Sequence, residues 1–107
     1  MKGIYLKFFV HENRKLHGLL AYEWLLEQAK KAGIRGGSAM RAIAGYGRQG
    51  VLHEDHFFEL AGDLTVMVEF VVTEEEALRL IDMVAAEKAS VFYLKIPVEF
   101  GVTNGTA

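Results

Sequence analysis

The hydrophobic residues of this chain switch between the two-residue period of a strand and the 3.6-residue period of a helix, and the order of the switches limits the fold more than any single motif. Residues 3–10 (GIYLKFFV) put Ile4, Leu6, Phe8 and Val10 on one side and Tyr5, Lys7 and Phe9 on the other. This is a strand, and the turn-like HENRK at 11–15 ends it. From about Leu16 the period becomes helical. Tyr22, Leu25, Leu26, Ala29 and Ala32 form the inward stripe, Glu27 and Lys31 pair at i,i+4 outside it, and Gly33 is the stop signal. Leu20 and Trp24 then fall on the outer side, an apolar patch suited to a subunit contact or a ligand cleft.

The second half repeats the alternation. After the turn IRGG, residues 38–46 (SAMRAIAGY) read as a second strand and 47–63 as a long excursion, the kind of loop that is usually functional in a compact domain. Residues 64–72 (LTVMVEFVV) make a third strand, with Val66, Val68, Phe70 and Val72 on one side. Thr73 then opens a capping box: its hydroxyl accepts the N–H of Glu76, whose carboxylate accepts the N–H of Thr73. The helix runs to about Lys88 with Ala77, Leu78, Ile81, Val84 and Ala85 inward, and the acids Glu74 to Glu76 suit its positive end. Residues 91–100 (VFYLKIPVEF) are a fourth strand. Phe92, Leu94, Ile96, Val98 and Phe100 share a face, and Pro97, lacking an N–H, marks an edge.

The order β-α-β-β-α-β predicts an α+β, ferredoxin-like sandwich, a four-stranded antiparallel sheet with two helices on one face, in a single domain over 1–107. The opposite face should carry Tyr5, Phe9, Met67, Val71, Val91 and Tyr93, with only Lys7, Glu69 and Lys95 charged. That is too apolar for water, and the 51% hydrophobic content exceeds what one small core needs. The expectation is a homo-oligomer that packs these faces together.

Composition excludes several classes. With no Cys, there is no disulfide scaffold, thiolate metal site or cysteine nucleophile. The net charge of −2 hides an asymmetry: residues 1–50 carry nine Lys/Arg against three Asp/Glu, and 51–107 carry three against eleven. The halves stand at +6 and −8, which argues against a continuous nucleic-acid-binding face and leaves room for a local anion site in the first half. No apolar run has the length of a membrane span and the N-terminus lacks a signal-peptide layout, so a soluble, cytoplasmic protein is expected.

Six of the eleven glycines crowd into residues 33–50, GIRGGSAMRAIAGYGRQG. Glycines at 45 and 47 let a backbone approach a ring or phosphate and adopt positive φ, bare N–H groups there can form an anion nest, and Arg48 adds a planar charged fork. The stretch resembles that of the PII signal-transduction proteins, G-I-x-G-x-T-x-x-x-x-x-G-F-G-R-Q-x-G, on the same β-α-β-β-α-β scaffold. The whole chain is similar to the PII-like family of conserved proteins through Tyr22-Glu23, Ile43 to Gly47, Leu52-His53 and Asp63-Leu64. The resemblance implies a regulatory protein, not an enzyme. It would form a homotrimer, bind an adenine nucleotide (ATP, ADP or AMP) between subunits and signal to a target protein, in some PII systems a membrane transporter. It also implies nucleotide contacts from Ser38, in place of the family's Thr, and from Gly45, Tyr46, Gly47, Arg48 and Gln49.

The departures are informative. PII proteins carry a Gly-rich segment with a Lys before strand four and Arg residues after it. Here the corresponding cations are Lys88 and Lys95, and no Arg follows Arg79. A ligand with fewer phosphates, or another anion, is thus as compatible as a triphosphate. The loop has no Tyr between Gly47 and Asp63. Phe57 and Phe58, with His53, are candidates to anchor a partner. His53 and His56, with carboxylates between them, could hold a divalent metal if the backbone turned there, which keeps a CutA-like trimeric metal-binding or structural protein as an alternative. A small ferredoxin-like enzyme is a further alternative, although no nucleophile elbow or triad spacing is present.

Overall fold

The computed structural model describes residues 1–45 and 64–105. In chain order the elements are β1 (Lys2–His11), β2 (Lys15–Leu16), β3 (Leu19–Leu20), α1 (Ala21–Lys31), β4 (Ser38–Arg41), β5 (Thr65–Val72), α2 (Glu74–Ala85) and β6 (Phe92–Glu99). Four strands form one antiparallel sheet in the order β4-β5-β1-β6, and both helices pack on one face of it. This is the ferredoxin-like α+β sandwich expected from the periods.

β1 is the central strand, and its alternation decides the layering. Ile4, Leu6, Phe8 and Val10 are buried against the helices and lie opposite Val72, Phe70, Val68 and Val66 of β5, which are buried too. Phe8, Leu6, Leu25, Leu80 and Val68 are the largest fully buried side chains, each contributing about 1.5–3 kcal/mol by leaving water. β6 is an edge strand, and Pro97 sits on it without interrupting an interior ladder.

The ends of the helices follow local chemistry. Thr73 forms both bonds of the capping box, accepting from the Glu76 N–H at 3.1 Å while its own N–H donates to Glu76 Oε1 at 2.9 Å. α1 ends in a Schellman motif. The N–H of Ile34 donates to Ala29 O at 3.0 Å and that of Gly33 to Lys30 O at 3.1 Å, with Gly33 at φ +88°. Glu27 and Lys31 pair at 3.4 Å as expected.

Several expectations change. The helix begins at Ala21 and not near Leu16, because residues 15–20 form a tight hairpin. Its two turn residues, His17 (φ 53°) and Gly18 (φ 81°), both take positive φ, the condition for a type I′ turn. That hairpin covers Trp24, which is 5% exposed and stacks on the His17 ring at 5.8 Å, so Trp24 belongs to the core and not to an outer patch. In α2 the inward stripe is Ala77, Leu80 and Val84, with Ile81 partly buried; Leu78 and Ala85 are exposed.

The second strand stops at Arg41, one bond beyond which Ala42 N donates to Thr65 O at 2.8 Å. β6 presents the opposite face from that expected. Tyr93, Lys95 and Pro97 pair with Phe8, Leu6 and Ile4 on the helix side, where Lys95 bonds Glu74 at 2.9 Å. Phe92, Leu94, Ile96 and Val98 therefore lie on the outer face with Tyr5, Lys7 and Phe9.

Candidate functional site

The segment leaving α1 builds the first part of the site. Ile34 is buried, and the chain then passes so close to the Phe70 ring at Gly37 that an added Cβ would lie 2.5 Å from Phe70 Cε1. Only glycine fits that approach, and it delivers Ser38 to the start of β4, directly opposite Glu69. Gly36, Gly37 and Ser38 line an open depression of about 480 Å³ with Tyr5, Glu69 and Val71. A second hollow of about 260 Å³ lies beside it, where Arg35 and Gly33 meet Thr73 and Glu76 at the α2 N-terminus.

The floor of the first depression is polar at one point. Glu69 Oε2 lies 3.3 Å from Lys7 Nζ, and the Lys7 ammonium sits 5.4 Å from the Tyr5 ring centroid and 5.8 Å from that of Phe9. Burial acts to lower the Lys7 pKa, but hydrogen bonds with Tyr5 and Glu69 outweigh it and hold the pKa above its ordinary value. Lys7 therefore carries its charge at neutral pH. Alternation alone places both residues on the outer face without pairing them. Their opposition follows from the β1–β5 register, Lys7 to Glu69, which no periodicity reveals.

Of the residues predicted to bind nucleotide, Ser38, Gly45 and Lys88 are described. Ser38 is exposed and lines the depression. Gly45 is exposed with no atom within 4 Å of a built Cβ, so nothing within the described chain crowds out a side chain there. It does not take the positive φ expected of it. Lys88 does take that conformation, at φ 57°, in the turn after α2 where its N–H donates to Ala85 O. Tyr46, Gly47, Arg48, Gln49, His53, His56, Phe57 and Phe58 lie outside the described residues. The divalent-metal expectation for His53 and His56 lies there too. Among the described residues no group of three His, Asp or Glu is placed to hold a metal.

Within one chain the described nucleotide candidates fall at opposite edges of the sheet. Ser38 and Gly45 belong to the β4 edge of the sheet, whereas Lys88 precedes β6, the other edge, with β5 and β1 between them. Three strand spacings amount to roughly 14 Å. The chain neighbours of Lys88 face the 15–20 hairpin, Glu87 Oε1 bonding His17 Nε2 at 2.7 Å and Ser90 O accepting from Arg14 Nη1 at 3.3 Å.

The model of the DUF190 family, described as an uncharacterized ACR, matches residues 3–96. The chain belongs to this family. A UPF0166 protein of Aquifex aeolicus is 33% identical over 97 residues, covering 83% of this chain and 92% of the relative. A UPF0166 protein of Methanocaldococcus jannaschii is 35% identical over 81 residues, 76% of this chain and 74% of the relative.

Two solved structures share the fold. A candidate PII-like signaling protein from Thermus thermophilus superposes with a TM-score of 0.62 at 21% identity, covering 91% of this chain and 87% of its own. CPII, a nitrogen regulatory PII-like protein from Thiomonas intermedia bound to ADP, AMP and bicarbonate, gives 0.63 at 19% identity, covering 92% and 87%. The DUF190 chain thus has a PII-like fold. Among the described residues, no helix is long and apolar enough to cross a membrane.

Proposed function

We propose that the protein is a PII-like regulatory protein that binds an adenine nucleotide, or a related anionic effector, between copies of the chain and signals to a partner through residues 47–63. The observation that carries this reading is the placement of Ser38 and Lys88 on opposite sheet edges. A ligand that needs both must lie where the β4 edge of one copy meets the β6 edge of the next. Such a contact is head-to-tail and forms a ring where its rotation closes, and the proposed ring is a homotrimer. The apolar outer sheet face supplies the surface that assembly buries.

Within the cleft, Arg48 holds phosphate by its planar fork, the Gly45 to Gly47 backbone cradles base or phosphate, and Ser38 contributes a hydroxyl. Lys88 of the adjoining copy adds one positive charge. That scarcity of cations favours a mono- or diphosphate, in keeping with the ADP and AMP bound to the Thiomonas neighbour. Gln49 connects the ligand to the loop that carries His53, Phe57 and Phe58. Signalling requires the ligand to bind two arrangements of that loop unequally. The partner is a second protein, a membrane transporter being one class, and the protein acts in the cytoplasm.

Calorimetric titration with ATP, ADP, AMP, cyclic AMP and bicarbonate tests the reading. ADP or AMP should bind one per chain, and Arg48→Ala should weaken binding by at least ~10-fold, the scale of a lost charge-assisted phosphate contact. Absence of binding by every nucleotide at millimolar concentration overturns it.

A further inference from the structure

The outer face of the sheet is largely apolar, with Ser38 at its β4 edge and His11 and Thr65 at one end of the central strands. Among the strand residues described there, Lys7 and Glu69 are the only Lys, Arg, Asp or Glu, and they stand side by side in the two central strands. Tyr5, Phe9, Met67, Val71, Leu94 and Ile96 surround them. The pair is already sheltered in a single chain, with side-chain exposures of 21% and 14%. Covering it further removes both charges from water, which is tolerated only when each keeps an opposite charge.

We propose that this pair fixes the register of self-assembly. When outer faces of neighbouring copies pack together, each Lys7 meets the partner's Glu69, and the charges alternate around the contact. The inference rests on the reading of the protein as a self-assembling chain and adds the residues that select the partner. Two observations identify a second copy as the occupant. The face carries one positive and one negative group amid mostly apolar residues, so in a head-to-tail ring Lys7 meets the Glu69 of one neighbour while Glu69 meets the Lys7 of the other. Tyr5, Glu69 and Val71 of this face also line the depression beside Ser38, so the copy that covers the face also closes that depression.

Charge reversal tests the proposal without nucleotide, so its failure stays distinct from failure of the nucleotide reading. Lys7→Glu alone and Glu69→Lys alone each place like charges on the face and should weaken assembly by at least ~100-fold in sedimentation experiments, the scale of a stranded buried charge. A tagged Lys7→Glu chain co-expressed with an untagged Glu69→Lys chain should retain it on an affinity column, and should not retain an untagged copy of itself. Co-expression keeps the test decisive even if a single variant is unfolded alone. Unchanged assembly of both single variants, or equal retention of like and opposite variants, overturns the proposal.

Discussion

Gly37 is the position where a single methyl group probes the fold and the site together. In Gly37→Ala the new Cβ lies 2.5 Å from Phe70 Cε1, 2.7 Å from Cδ1 and 3.1 Å from Leu26 Cδ2. The Phe70 ring cannot swing away freely: the residue is 2% exposed and meets Phe8 edge-on at 6.4 Å and 78°. The backbone entering β4 must therefore retreat by roughly 1 Å to restore van der Waals separation. Overpacking of this kind costs about 1–3 kcal/mol, and a domain of this size loses ~4–8 °C per kcal/mol, so the melting temperature should fall by about 4–24 °C. The neighbouring Gly36 is the control. It has nothing within 4 Å and no positive φ, so Gly36→Ala should be neutral or stabilise by about 0.4–1 kcal/mol through the unfolded chain. Thermal unfolding by circular dichroism reads both, and equal melting of the two variants refutes the close-approach argument.

Three further outcomes follow from the same packing. Leu80→Ala should cost about 2–5 kcal/mol in urea unfolding while Leu78→Ala stays within ~0.5 kcal/mol, and a reversal of that order would contradict the observed helix phase. Thr73→Ala should cost about 1 kcal/mol by removing one bond of the capping box, with Thr73→Ser retaining most of it, and equal losses in the two would show that the hydroxyl is not the stabilising group. Because Lys7 is raised above its ordinary pKa, it stabilises the fold while protonated and ceases to do so as pH climbs through the folded value. Wild type should then lose more stability than Lys7→Met as the pH rises above about 10.5, and parallel losses there would remove the pair from the account.

The parts of the fold legible in the sequence are those fixed by local chemistry or strict alternation. Ile4, Leu6, Phe8 and Val10 are apolar on every second residue, and Thr73 to Glu76 carries its cap within four positions. Trp24 escapes the periodicity because Leu16, Leu19 and Leu20 can be read as helix, whereas His17-Gly18 between them is a two-residue turn. That dipeptide is the available signal. β6 misleads for a different reason: its apolar face (Phe92, Leu94, Ile96 and Val98) is turned to the outer side of the sheet while Tyr93, Lys95 and Pro97 take the helix side, so apolarity alone does not mark the core face, and its register on β1 together with the Lys95–Glu74 bond decides the matter. For the site, Ser38 is legible through the Gly-rich run. Its separation from Lys88 is not, because strand order is a property of the sheet and not of any one segment.

The shared cleft is tested most directly by complementation. Arg48→Ala and Lys88→Ala chains each lack one side of every site, so each homomeric assembly should bind ADP or AMP at least ~10-fold more weakly than wild type by calorimetry, with no sites of wild-type affinity. Co-assembled in equal amounts, they should recover about a quarter of the wild-type sites, the fraction in which an intact Arg48 from one copy faces an intact Lys88 from the next under random mixing. No recovery in assemblies shown to contain both chains would contradict the account, because it would place both residues in a site that a single copy completes or in no common site.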